Sequence, residues 1–167
     1  NQMADVECHL VVTPAAEKTI AMELGGTMLH ALGSLATLCH CCDDVSASIA
    51  SGSFRCDGMI IAPCSMRTLS AIANGLADNL LTRAADVTLK ERRRLVLLAR
   101  EAPLHAGHLE AMLKVTSLGA IVFPPVPAFY AQPRTIDDIV TQIAARSLGL
   151  LGVNAERFTK RWGDTPA

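Results

Sequence analysis

The sequence has no excess charge of either sign: 15 Lys and Arg stand against 16 Asp and Glu, for a net charge of -1. General binding to nucleic acid or to an anionic membrane surface needs a basic stripe that neutralises phosphates, and this balance argues against both. The single basic run, KERRR at 90–94, reads as a solvated helix end. Also missing is an apolar run long enough to span a bilayer. The N-terminal NQMADVECHL has neither a charged leader nor an apolar signal core, so a soluble, cytoplasmic protein is expected. Paired C-x2-C spacing is absent as well. Cys39, His40, Cys41 and Cys42 are adjacent and no second pair follows, so no metal is expected there. Cys8 and Cys64 fall in or beside apolar runs, where a thiol acts as a small hydrophobe, and disulfides are not expected. Aromatics are scarce, with one Trp, one Tyr and four Phe. Two of them nevertheless stand in one seven-residue loop, PPVPAFY (124–130), beside three prolines that stiffen it. On this stretch alone, a rigid surface connection with Phe129 tucked against the core explains the pattern.

What is present is apolar. Half of the 167 residues are hydrophobic, enough for a single domain with its own core and for surface buried against copies of itself. VECHLVV (6–12), GMIIAPC (58–64), RLVLLA (94–99) and AIVF (120–123) read as strands. PAAEKTIAMEL (14–24) reads as a helix with proline in its first turn. Two helical stretches follow Cys64, separated near 75–79. HLEAMLKVTSL reads as a helix ending at Gly119, and 135–152 as one capped by Thr135. Continuous rather than alternating apolar strands predict an open parallel α/β sheet covered by helices on both faces, a Rossmann or flavodoxin-like three-layer sandwich. One domain over 1–167 is expected, with 153–167 as a polar tail that docks through Trp162.

In such sheets ligands bind beyond the carboxyl ends of the strands. Four loops there carry special residues: Thr13, PCSMRT, REAPLHAGH and PPVPAFY. Ser65, Arg67 and Thr68 stand where a helix begins, which suits a phosphate, although capping without a ligand explains them equally well. Arg100 and Glu101 at a strand end point to an ion pair or a ligand contact. His105 and His108 read as helix-start packing or capping.

With these loops aligned, the run SGSFRCDGMIIAPCSMRTLSAIANGLADNLLTRAADVTLKERRRLVLLAREAPLHAGHLEAMLKVTSLGAIVFPPVPAFY resembles the flavin prenyltransferase family, and VECHLVVTPAAEKTIAMEL resembles it more weakly. The resemblance implies a flavodoxin-like protein that forms a homo-oligomer, typically a dodecamer, with FMN at subunit interfaces. It implies metal-independent transfer of a dimethylallyl group from dimethylallyl phosphate to N5 and C6 of reduced FMN. The prenylated flavin then serves a partner decarboxylase of the ubiquinone or aromatic-acid pathways. By the same resemblance Thr13, Ser65, Met66, Arg67, Thr68 and Arg100 contact FMN, while Glu23, Lys90, Glu101, Tyr130 and Arg146 hold the prenyl phosphate or move protons. Lys90, Tyr130 and Arg146 are the phosphate-binding members. Trp162, folded over, adds an electron-rich wall.

One departure stands out. The family opens with a strand and a GxSGxxG-type turn that have no counterpart in this chain, so the sheet is expected to show two strands with unpaired edges. Two alternatives accompany the reading. One is an FMN-binding subunit without turnover. The other is a flavin-dependent decarboxylase of peptidyl cysteine or phosphopantothenoylcysteine, whose Asn-rich loop is replaced here by PPVPAFY.

Overall fold

In a computed structural model that describes residues 6–163, the apolar runs become five strands separated by helices. The order is β1 (His9–Val11), α1 (Pro14–Leu24), α2 (Thr27–Leu35), β2 (Leu38–His40), β3 (Gly58–Cys64), α3 (Met66–Ala73), α4 (Leu80–Lys90), β4 (Arg94–Ala99), α5 (Ala106–Ser117), β5 (Ile121–Val122) and α6 (Ile136–Leu150). Residues 1–5 and 164–167, counted in the expected domain and tail, lie outside the described residues.

Local chemistry sets the helix boundaries. Thr13, in extended geometry, accepts the Ala16 N–H at 3.2 Å, and Pro14 has no N–H to leave unpaired. Ser65 caps α3, and Asn79 with Thr82 and Thr135 with Asp138 form capping boxes on α4 and α6. Helix α4 ends in a Schellman turn, in which Arg93 N–H reaches Thr88 O at 2.9 Å and Arg92 N–H reaches Leu89 O at 3.0 Å. Arg92 takes the left-handed position there, with φ 58. Glycine suits that backbone better, so Arg92→Gly is expected to raise stability by about 0.5–1 kcal/mol in urea unfolding.

All strand pairs are parallel. β3, β4 and β5 form one sheet in that order, with Met59 opposite Leu95, Ile61 opposite Leu97 and Val96 opposite Ile121. The β3–β4 register shifts between Ile61 and Cys64, where Pro63 has no N–H to donate. β1 and β2 form a separate two-stranded sheet. The expected parallel strands flanked by helices are therefore present, in two sheets, with β1 and β3 each paired along one edge as the resemblance implied. The strand expected over 6–12 shortens to three residues, and that over 120–123 shortens to two. Helices α2 and β2's short strand carry no expectation from the sequence.

The core belongs to the second sheet. Leu95 and Leu97 of β4 are fully buried in one cluster with Leu69 of α3, Leu81 and Ala85 of α4, and Val115 of α5, and Val96, between them on the strand, is fully buried as well. Each such side chain contributes on the order of 1.5–3 kcal/mol. Cys64 belongs to this core as expected, but Cys8 is exposed. Helices α1 and α2 bury no residue, and Met22 is 86% exposed. Among the described residues no helix is long and apolar enough to cross a membrane.

Candidate functional site

The carboxyl end of the three-stranded sheet carries the Ser65–Thr68 run and the Arg100–Glu101 pair. The Ser65 hydroxyl accepts the Thr68 N–H at 3.2 Å and donates to Thr68 Oγ1 at 3.1 Å. Met66 and Thr68 are buried, so their side chains pack into the core. What the turn offers a ligand is the Met66 and Arg67 main-chain N–H at the start of the helix, where the first donors have no intrahelical acceptor, since the Thr68 N–H is taken by Ser65. Arg67 is exposed and pairs with Asp78 at 2.9 Å. Sequence reasoning missed Asp78, because eleven residues separate the partners. Below this turn, burial pushes the Cys64 thiol up to about 12, so it is a packing group and not a nucleophile. Arg100 and Glu101 follow the buried β4 and are both exposed. Among the described residues neither makes an ion pair, so the expected ion pair is not present.

Lys90 and Glu23 lie elsewhere. Lys90 ends α4 and precedes β4, whereas Arg100 follows β4. A strand of that length separates the two by about 20 Å. Glu23 stands near the end of α1, about 14 Å along the helix axis from the Thr13 cap. Within one chain, Lys90 therefore does not share a site with Glu101. Lys90 hydrogen-bonds the Glu91 carboxylate, and that bond holds the Glu91 carboxyl below its ordinary value.

A third group forms around the proline-rich loop. Tyr130 sits in a 3-10 turn (Phe129–Ala131), and its ring meets Trp162 edge-on at 5.6 Å and 80°. The tail is brought there by Gln142, whose amide donates to Lys160 O and accepts from Lys160 N–H, both at 3.0 Å. Arg146 is exposed one turn further along the same face of α6. The tail thus meets Tyr130 through the edge of Trp162, which is otherwise 83% exposed. Phe129 corrects the other expectation: it is 74% exposed, not tucked into the core, because the 3-10 turn presents it outward while Pro125 and Pro127 are half-buried.

Two histidine pairs occur outside these groups. His105 occupies the N-cap position of α5 without a side-chain cap, and its ring packs on His108 at 3.6 Å, so packing is its role and not capping. On the smaller sheet, His9 Nδ1 and His40 Nε2 lie 2.9 Å apart, with Glu7 3.3 Å from His9 and Phe54 tilted against it. Burial, then His9, lowers the His40 pKa, and Asp44 opposes the shift. A histidine whose folded pKa is depressed resists protonation by the native state. Its stabilising effect is complete above about pH 6.5 and is lost as pH falls from there through the lower folded value. Denaturant midpoints measured from pH 7.5 to 5 are expected to fall, and His40→Gln is expected to flatten that slope. A cleft of about 300 Å³ lies beside this sheet, lined by Leu10, Glu17, Leu29, Cys39, Cys41 and Asp43 among others. None of the expected site residues lines it. The structure also shows no group of three or more His, Cys, Asp or Glu among the described residues placed to hold a metal.

The donor set fits a flavin phosphate. The Thr13 hydroxyl, the Met66 and Arg67 N–H groups at the start of α3 and the Arg100 guanidinium are donors, as an anion and the polar edge of a flavin require.

Comparison with known proteins gives this arrangement a context. A family model described as Flavoprotein matches residues 2–148. The chain is 53% identical over 150 residues to the flavin prenyltransferase UbiX of Neisseria meningitidis serogroup B (strain ATCC BAA-335 / MC58), spanning 90% of this chain and 79% of that protein. Among solved structures it resembles AnUbiX (PadA1) in complex with FMN and dimethylallyl pyrophosphate, with TM-score 0.89 and 46% identity over 97% of this chain and 85% of that one. It also resembles a dodecameric FMN-dependent Ubix-like decarboxylase from Escherichia coli O157:H7, with TM-score 0.92 and 47% identity over 98% of this chain and 87% of that one.

Proposed function

Because the chain belongs to the flavin prenyltransferase family, we propose that it transfers a dimethylallyl group from dimethylallyl phosphate to N5 and C6 of reduced FMN, giving the cofactor of a partner decarboxylase. The observation that carries the reading is the similarity over 97% of the chain to a protein solved with FMN and dimethylallyl pyrophosphate. When bound, the flavin supplies the electron-rich acceptor atoms.

The work left to side chains is electrostatic. Breaking the allylic C–O bond leaves negative charge on the phosphate oxygens, and donors aimed at those oxygens lower the barrier. Arg146 and Tyr130 hold them from the α6 face, and Lys90 holds them as a point charge. The Trp162 ring, fixed against Tyr130, forms the wall along which positive allyl character is stabilised. Glu101 donates a proton to the departing phosphate, and Glu23 accepts the proton released later. Thr13, Arg100 and the α3 start hold FMN. No metal enters this scheme.

Lys90 lies at the opposite end of β4 from Glu101, so a site using both takes residues from more than one copy. A homo-oligomer, a dodecamer by analogy with the related assembly, supplies them. The test is anaerobic incubation with reduced FMN and dimethylallyl phosphate, followed by mass spectrometry of the released flavin. A flavin heavier by one prenyl unit is expected; FMN that co-purifies unmodified supports a binding subunit without turnover and overturns the transferase reading.

A further inference from the structure

The Ser-Gly-Ser-Phe stretch at 51–54 is an irregular loop, yet it is held from several sides. Arg93 donates Nη1 to Phe54 O and Nη2 to Gly52 O, each at 2.8 Å, so one guanidinium clamps two carbonyls of the loop. Arg83 donates Nε to Ala50 O at 3.1 Å, just before the loop. The Ser51 and Ser53 hydroxyls close the turn at 2.8 Å. Between the clamped carbonyls, Gly52 has no Cβ, and the space a Cβ would fill holds the Lys90 ammonium and the Glu91 carboxylate. The Lys90 Nζ lies 2.6 Å from that Cβ position. The Glu91 carboxylate, which pairs with the Lys90 ammonium, lies nearer still, so the joined ends of both side chains pack beside Gly52; the helix that carries Lys90 leads through the Schellman turn into Arg93, the residue that clamps the loop.

A lysine side chain loses rotamer freedom when its charge is fixed, and a site that fixes it beforehand binds an anion more tightly. We propose that Gly52 and Arg93 are positioning residues for Lys90, setting where its ammonium meets the prenyl phosphate. This inference rests on the phosphate-binding role given to Lys90 above. Gly52 does not have the left-handed backbone that would strain an alanine. The atoms in the way are the ends of two flexible side chains, so Gly52→Ala moves Lys90 and leaves the fold in place.

The experiment uses the full-length protein in its natural assembly. Gly52→Ala, Arg93→Gln, Arg93→Lys and Lys90→Met, and the first two in the Lys90→Met background, are compared for dimethylallyl phosphate affinity by calorimetry and for KM and kcat in prenyl transfer. Gly52→Ala and Arg93→Gln are expected to weaken dimethylallyl phosphate binding about tenfold, chiefly in KM, with FMN affinity unchanged and partial rescue in Arg93→Lys. In the Lys90→Met background the same changes are expected to alter binding by less than about twofold, since effects that act through one group do not add. Unchanged binding in Gly52→Ala overturns the proposal, and so does an equal loss in both backgrounds. If Lys90→Met alone is silent, the phosphate role of Lys90 fails first and the proposal falls with it. If Gly52→Ala does not assemble, the Arg93 series decides by the same criteria.

Discussion

Glu101→Gln is expected to slow prenyl transfer about 10²–10³-fold while the Kd for FMN stays within about twofold. Glutamine keeps the size of the side chain and its capacity for hydrogen bonds, but it has no acidic proton to hand to a leaving phosphate. The position is well defined. Five of the six residues of β4 are buried, so the strand end that carries Arg100 and Glu101 is fixed by the core, and Pro103 stiffens the loop beyond. Both side chains face solvent, where a ligand can reach them. Single-turnover mass spectrometry of the flavin separates the chemical step from product release. A rate equal to wild type would remove Glu101 from proton transfer and pass that role to Tyr130 or to solvent.

A second large effect is expected at Gly58, in the fold and not in the chemistry. A Cβ there would lie 2.7 Å from Arg94 O and 2.8 Å from Leu151 Cδ2. The first of these is backbone in the paired strand and cannot move without shifting the β3–β4 register. Gly58→Ala is therefore expected to cost about 2–3 kcal/mol, as overpacking does, and to lower Tm by roughly 5–10 °C. Gly149, inside α6 with nothing within 4 Å of its Cβ position, is the control: Gly149→Ala is expected to gain about 0.5–1 kcal/mol from helix propensity. Thermal unfolding of the two variants checks both. Equal Tm values would mean that the close approach at Gly58 relaxes without cost.

The elements legible in the sequence are those whose signals are local. β3 and β4 are continuous apolar runs bounded by Gly58 and Cys64 or by the Arg93–Arg100 edges, and α6 announces itself through Thr135 and Asp138. The family was legible too, because all four strand-end loops lie within one run. α2 and β2 were not. β2 has only three residues, and α2 buries none of its apolar side chains, so neither leaves the mark of a one-sided burial. Cys8 was misplaced for a related reason: an apolar run fixes burial only where something covers it, and little covers the smaller sheet.

The sequence by itself determined the α/β class, the caps that start α1, α3, α4 and α6, and the identity of the residues available for chemistry, since these depend on neighbours a few positions apart. Tertiary structure decided which of those residues meet. It turned Met66 and Thr68 inward and left the Met66 and Arg67 N–H groups as the donors, and it put Trp162 on Tyr130 through the Gln142–Lys160 bonds. It also placed Lys90 on Gly52, at the edge of the sheet opposite Glu101. Such meetings join residues far apart in the chain, 41 positions in the case of Arg93 and Gly52. No short-range pattern encodes them, because they follow from how sheet and helices pack.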